Sequence, residues 1–134
     1  MRYLPLLLLA LAACSKDAKD RPSGESAPTA ASDDAAVAAW RKAGLAVSAL
    51  TEVDGGKYAA QACRGGTVAG VDIVLCRYDQ PAQAQAAEDG ALATLGEATG
   101  AALSHDARLL VVADRRQADP TGRTIDAITR AFMK

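Results

Sequence analysis

Three cysteines, a single histidine and one arginine-rich loop are the groups in this chain whose types and spacing could do chemistry. Cys63 and Cys76 stand too far apart for the Cys-x-x-Cys redox arrangement at a helix start, which leaves a structural disulfide or free thiols. His105 lies between Ser104 and Asp106, the residue types of a hydrolytic triad or of part of a metal site. Adjacent residues of a strand point to opposite faces, however, and a metal site needs further ligands at a recognised spacing. A solvated turn or edge histidine is the competing reading. Arg115, Arg116 and Arg123 lie in a charged stretch that opens at Asp114. Guanidinium forks beside the free amides of a helix start could hold an anion or a partner's carboxylate. The plainer alternative is a solvated loop with a helix cap. Gly65-Gly66 lacks the spacing of a phosphate loop and reads as a flexible hairpin segment or a bulge.

The elements that must position these groups follow from pattern. Asp33 to Ala43 is alanine-rich, with Val37 and Trp40 one turn apart and Gly44 behind them, which predicts a short helix with Trp40 facing the core. Leu45 to Val53 suits a strand, with a continuation of the helix through Leu50 as the alternative. Asp54-Gly55-Gly56 then signals a turn. Tyr58 to Val68 and Val71 to Tyr78 flank Ala69-Gly70, and a two-residue turn there sets Val68 opposite Val71 and Cys63 opposite Cys76. That count places the cysteines on a non-hydrogen-bonded pair, where side chains approach most closely.

Gln80-Pro81 opens an alanine-rich helix with Ala84, Ala87, Ala91, Leu92 and Leu95 largely on one face, ending at Gly96 or Gly100. Leu103 to Ala113 has the continuous apolar character of one buried strand. Asp119-Pro120 starts a last helix buried through Ile125, Ile128 and Phe132. The order α-(β)-β-β-α-β-α implies an α+β sandwich, with about three helices on one face of a mainly antiparallel sheet of about three to four strands.

The remaining cysteine closes the run Leu11-Ala12-Ala13-Cys14, behind Met1-Arg2 and the apolar stretch Leu4 to Leu11. This segment is similar to the lipobox of bacterial lipoprotein precursors. The apolar run is far shorter than the roughly 20 residues of a permanent span, and Lys16, Asp17, Lys19, Asp20 and Arg21 follow it. The competing reading is an ordinary cleaved leader with an incidental cysteine. The resemblance implies that residues 1–13 are a signal peptide and that mature Cys14 carries palmitate-type acyl chains on its sulfur and amine. Two or more chains anchor a protein to a bilayer stably, whereas one does so only marginally. Ser15, where aspartate would favour inner-membrane retention, implies an outer-membrane address facing the periplasm or the surface.

Residues 14–32, poor in large apolar side chains, read as a lipidated end and a disordered tether with a reach on the order of 25 Å. Residues 33–134 form one globular domain. Lipidation at Cys14 leaves an even pair of cysteines in an oxidising compartment, so the resemblance favours a Cys63–Cys76 disulfide adding about 3 kcal/mol.

A formal net charge of −1, with both signs dispersed, gives no basic stripe for nucleic acid. No motif calls for a cofactor or a metal. The leading expectation is a non-catalytic envelope lipoprotein, bound to the bilayer through acylated Cys14, whose domain docks an envelope protein or cell-wall component. A small-ligand or anion-binding module using Arg115, Arg116 and Arg123 is the alternative, and a hydrolase using His105 is the weakest reading.

Overall fold

A computed structural model describes residues 35–134; the leader, Cys14 and the whole tether lie outside them. Residues 35–42 are helical (α1), and Gly44, at φ +85°, turns the chain out of the helix. The helix therefore does not continue toward Leu50. The following segment approaches β2 (Ala62–Val68) through an isolated bridge between Val47 and Val68, and becomes a strand only at β1 (Thr51–Val53). The strand expected over Leu45 to Val53 is thus realised only in part. Between the two contacts the Ser48 hydroxyl, instead of a carbonyl, accepts the Thr67 N–H at 2.9 Å and interrupts the ladder.

Ala69 and Gly70, at φ 51° and 86°, make the two-residue turn between β2 and β3 (Val71–Arg77). Positive φ at both central residues gives the twist that a tight hairpin needs. The register is the one counted from sequence: Val68 faces Val71 and Cys63 faces Cys76, and these cysteines form a disulfide with Cα atoms 4.1 Å apart. No bulge interrupts it, since Gly65 faces Val74 and Gly66 faces Ile73. Gly66 is required for another reason. A Cβ there would lie 2.7 Å from Ser48 Oγ and 2.8 Å from Leu50 Cδ2, so the glycine lets the preceding segment cross close to the strand.

The helix expected from Pro81 to Leu95 is divided into α2 (Pro81–Ala86) and α3 (Glu88–Ala93). At the joint, the Ala87 N–H is shared between the carbonyls of Gln83 and Ala84, and the Glu88 carboxylate reaches out of the helix to Ser104. The single strand expected over Leu103 to Ala113 is a hairpin, β4 (Thr99–His105) and β5 (Arg108–Asp114). Its turn is Asp106-Ala107, with Asp106 at φ 56°, a conformation that aspartate tolerates better than most residues. The last helix, α4, spans Arg123–Phe132 and begins later than Asp119-Pro120 implied.

The class is α+β, with a five-stranded sheet in the order β1-β2-β3-β5-β4 in which every neighbouring pair is antiparallel. The extra strands relative to the sequence expectation are the short β1 and the separated β4. Helices cover both faces of this sheet rather than one. On the first face α1 and α4 enclose Trp40, Val68, Ile73, Leu110, Val112, Ile128 and Phe132, and the indole N–H of Trp40 donates to the Ile128 carbonyl at 3.0 Å. On the second, α2 and α3 set Ala84 and Ala91 against Leu109, Val111 and the disulfide. Burial on both faces is why β3 and β5 read as nearly continuous apolar runs. The alanines let the short helices sit close to the sheet.

Candidate functional site

A cleft of about 700 Å³ opens at the Asp114 end of the sheet. One wall is the connection from α3 to β4, Thr94 to Thr99. The other is the loop from β5 to α4, lined by Asp114, Arg115, Gln117, Asp119 and Pro120. The second wall was singled out in the sequence. The first was not, because it becomes a wall only when Thr99 to His105 is recognised as a separate strand.

Two buried carboxylates build the loop. Asp114, the last residue of β5, accepts the N–H groups of Ala118 and Asp119, each at 2.8 Å. Asp119 in turn accepts the Ile125 N–H at 2.8 Å and lies 3.5 Å from the Thr121 hydroxyl. Asp119 therefore caps α4 from upstream, reaching over the turn at Gly122 to an amide of the first helical turn. Burial pushes its carboxyl toward neutrality. Hydrogen bonds from the backbone N–H groups of Ile125, Thr124 and Gly122 and from Thr121 outweigh that, and hold it below the ordinary carboxylate value.

The three arginines diverge. Arg115 spans the cleft and donates from Nη2 to the Thr94 carbonyl at 3.2 Å. Arg116 turns to Asp72 on β3, with Nη2 3.3 Å from the carboxylate. Arg123 is the first residue of α4 and is exposed outside the cleft lining. The cleft thus presents one guanidinium beside the carboxylates of Asp114, Glu97 and Asp119, a lining of mixed sign.

His105 ends β4. Its Nε2 lies 3.7 Å from Asp106 Oδ2, and its ring meets Phe132 edge-on at 6.1 Å between centroids. Ser104 is committed elsewhere, its N–H donating to the Glu88 carboxylate at 2.7 Å and its hydroxyl to the same oxygen. The strand alternation that separates neighbours keeps this hydroxyl away from the imidazole. Among the described residues no cluster of His, Cys, Asp and Glu could hold a metal ion, and no helix is long and apolar enough to cross a membrane.

A second hollow of about 410 Å³ lies between α2 and α3 and the short turn Gly56–Tyr58. Lys57, Tyr58, Gln83 and Gly90 line it, and Lys57 Nζ sits 5.4 Å from the centre of the Tyr58 ring. Beneath it the Tyr78 hydroxyl donates to the Tyr58 carbonyl at 2.6 Å. Burial, together with the neighbouring Tyr58, raises the Tyr78 phenol above its ordinary value. Comparison with protein-family profiles, with curated proteins and with solved structures finds no match to this chain.

Proposed function

We propose that this chain is an envelope lipoprotein, held to the bilayer by acyl chains on Cys14, whose folded domain is non-catalytic and docks an envelope protein or a cell-wall component. The observation that carries the reading is the Cys63–Cys76 disulfide. It accounts for both cysteines of the domain and fits an oxidising compartment, so Cys14, at the end of a lipobox-like run, is the one thiol left for lipid. The residue after it, Ser15, favours the outer membrane. Mass spectrometry of the mature N-terminus tests the anchor: diacylglyceryl on Cys14 supports it, and a free cysteine or a cut elsewhere overturns it. Crosslinking in intact membranes tests the docking role, and failure to recover any reproducible envelope partner counts against it.

A second reading, a small-ligand module, is favoured by Arg115 in the large cleft. It predicts that a small anion stabilises the wild-type chain and that Arg115→Gln removes the response. A screen without any stabilising anion sinks it.

A further inference from the structure

The hollow between α2, α3 and the turn Gly56–Tyr58 is separate from the Arg115 cleft, and its lining is of a different kind. Its helix side is made of small residues. Ala86, Ala87 and Gly90 line it, and a Cβ added at Gly90 would meet nothing within 4 Å. Tyr58 joins the hollow to the core, since it lines the one and packs in the apolar cluster around the disulfide with Ala84 and Ala91. This side is held in place. The Tyr58 N–H donates to the Gly55 carbonyl at 3.0 Å, and the Tyr58 carbonyl accepts the Tyr78 hydroxyl at 2.6 Å. A wall fixed before anything enters saves a ligand the cost of ordering it.

The charge of the hollow is one-sided. No acidic side chain lines it, whereas Glu97, Asp114 and Asp119 all line the cleft. Lys57 supplies a cation, and among the described residues no carboxylate pairs with it. Gln83 supplies a second donor. Its Oε1 accepts the Gln80 N–H at 3.1 Å, which leaves the Nε2 hydrogens of the same amide to donate. A cationic ligand is disfavoured, because the Lys57 ammonium already stands 5.4 Å from the centre of the Tyr58 ring and would repel a second positive charge there.

We propose that this hollow binds a medium-chain fatty acid, with the carboxylate on Lys57 and Gln83 and the aliphatic tail along Tyr58, Ala86, Ala87 and Gly90. A single ammonium matches the single charge of a carboxylate, whereas a phosphate ester carries about −1.5 to −2 near neutral pH. Apolar walls with a few placed polar groups are the usual make-up of a small-molecule site. The volume of about 410 Å³ lies toward the lower end of the roughly 300–1,000 Å³ of such sites, which suits a medium chain rather than a long one.

The test titrates the full chain, labelled with ¹⁵N, with sodium octanoate below its micelle concentration against sodium chloride at matched ionic strength. The expected result is a saturable shift of the Ala87 and Gly90 amide resonances with octanoate alone. Hexanoate should bind more weakly, by up to about fourfold for each methylene removed from the apolar walls. Lys57→Gln should weaken octanoate binding roughly two- to fivefold, the scale of an exposed ion pair. Gly90→Leu should abolish binding by filling the hollow, and it keeps the fold testable because leucine is the better helix former. The exposed Arg123→Gln should leave binding as it is. The proposal is overturned if octanoate causes no shift beyond chloride, if Gly90→Leu or Lys57→Gln binds octanoate as the wild type does, or if octanol or octylamine binds the wild type as tightly as octanoate.

Discussion

The two ends of strand β5 treat buried charge in opposite ways. At one end Asp114 is buried and its carboxylate is satisfied by two backbone N–H groups, while its neighbour Asp119 caps α4. At the other end Arg108 stands against a second arginine whose Nε is buried without a partner. The first end is a closed hydrogen-bond network that fixes a loop. The second sets two arginines side by side on the face that α4 covers, with one nitrogen of Arg77 buried and unpartnered. Polar groups near a core can specify local structure, and at the Asp114 end of this strand they do.

The contrast can be broken hardest at the disulfide, which joins the strands one residue away from Arg77. Replacing Cys63 and Cys76 together with serine should lower stability by about 3 kcal/mol, measured by denaturant unfolding, because the unfolded chain regains its loop freedom. A loss well under that would mean that the β2–β3 hairpin is held by its turn and core alone. Next in size is Asp114→Ala at the satisfied end. It leaves the buried Asp119 N–H without an acceptor, and also the more exposed Ala118 N–H, for an expected loss of about 2 kcal/mol. Hydrogen exchange should show the loss concentrated between Asp114 and the start of α4.

A smaller effect separates the two ends by pH. The Asp119 carboxyl is held below its ordinary value of 3.8, so its contribution to stability is fully present above that value and is lost as pH falls through the lowered native value. Acid titration followed by hydrogen exchange should therefore loosen the first turn of α4 below about pH 4. Asp119→Asn should start less stable and lose this part of the acid dependence. An unchanged acid profile in that variant would show that the cap does not act through its charge.

What was legible in the sequence depended on which turns announced themselves. Ala69-Gly70 carries a glycine between two apolar runs, so the register of β2 and β3, and with it the disulfide, could be counted residue by residue. The α+β class and the core positions of Trp40, Ile128 and Phe132 followed from helical spacing. Asp106-Ala107 carries neither glycine nor proline, and its aspartate adopts positive φ without a composition signal. Missing that turn fused β4 with β5. It hid the Thr94 to Thr99 wall of the cleft and concealed that His105 faces Arg108, which in turn faces Arg77. Long-range strand order sets that row, and no local pattern reports it. The divergence of Arg115, Arg116 and Arg123 was equally out of reach, since it rests on Asp72 from a distant strand attracting one of them.

The smallest expected effect has the most diagnostic sign. Substitutions at half-buried positions usually destabilise, yet Arg77→Gln should raise stability by up to about 1 kcal/mol, the scale of a like-charge cross-strand pair. The reasoning is that glutamine removes one of two opposed charges from the close pair while keeping a chain that can lie along the same strand. Arg115→Gln at the other end of the sheet gives the contrast, because it removes a donor to the Thr94 carbonyl and relieves no opposed charge, so it should be neutral or slightly destabilising. Thermal unfolding of the two variants in parallel decides the matter. If Arg77→Gln is the less stable of the two, the opposed charges cost nothing at this pair and Arg77 stabilises the strand through its packing.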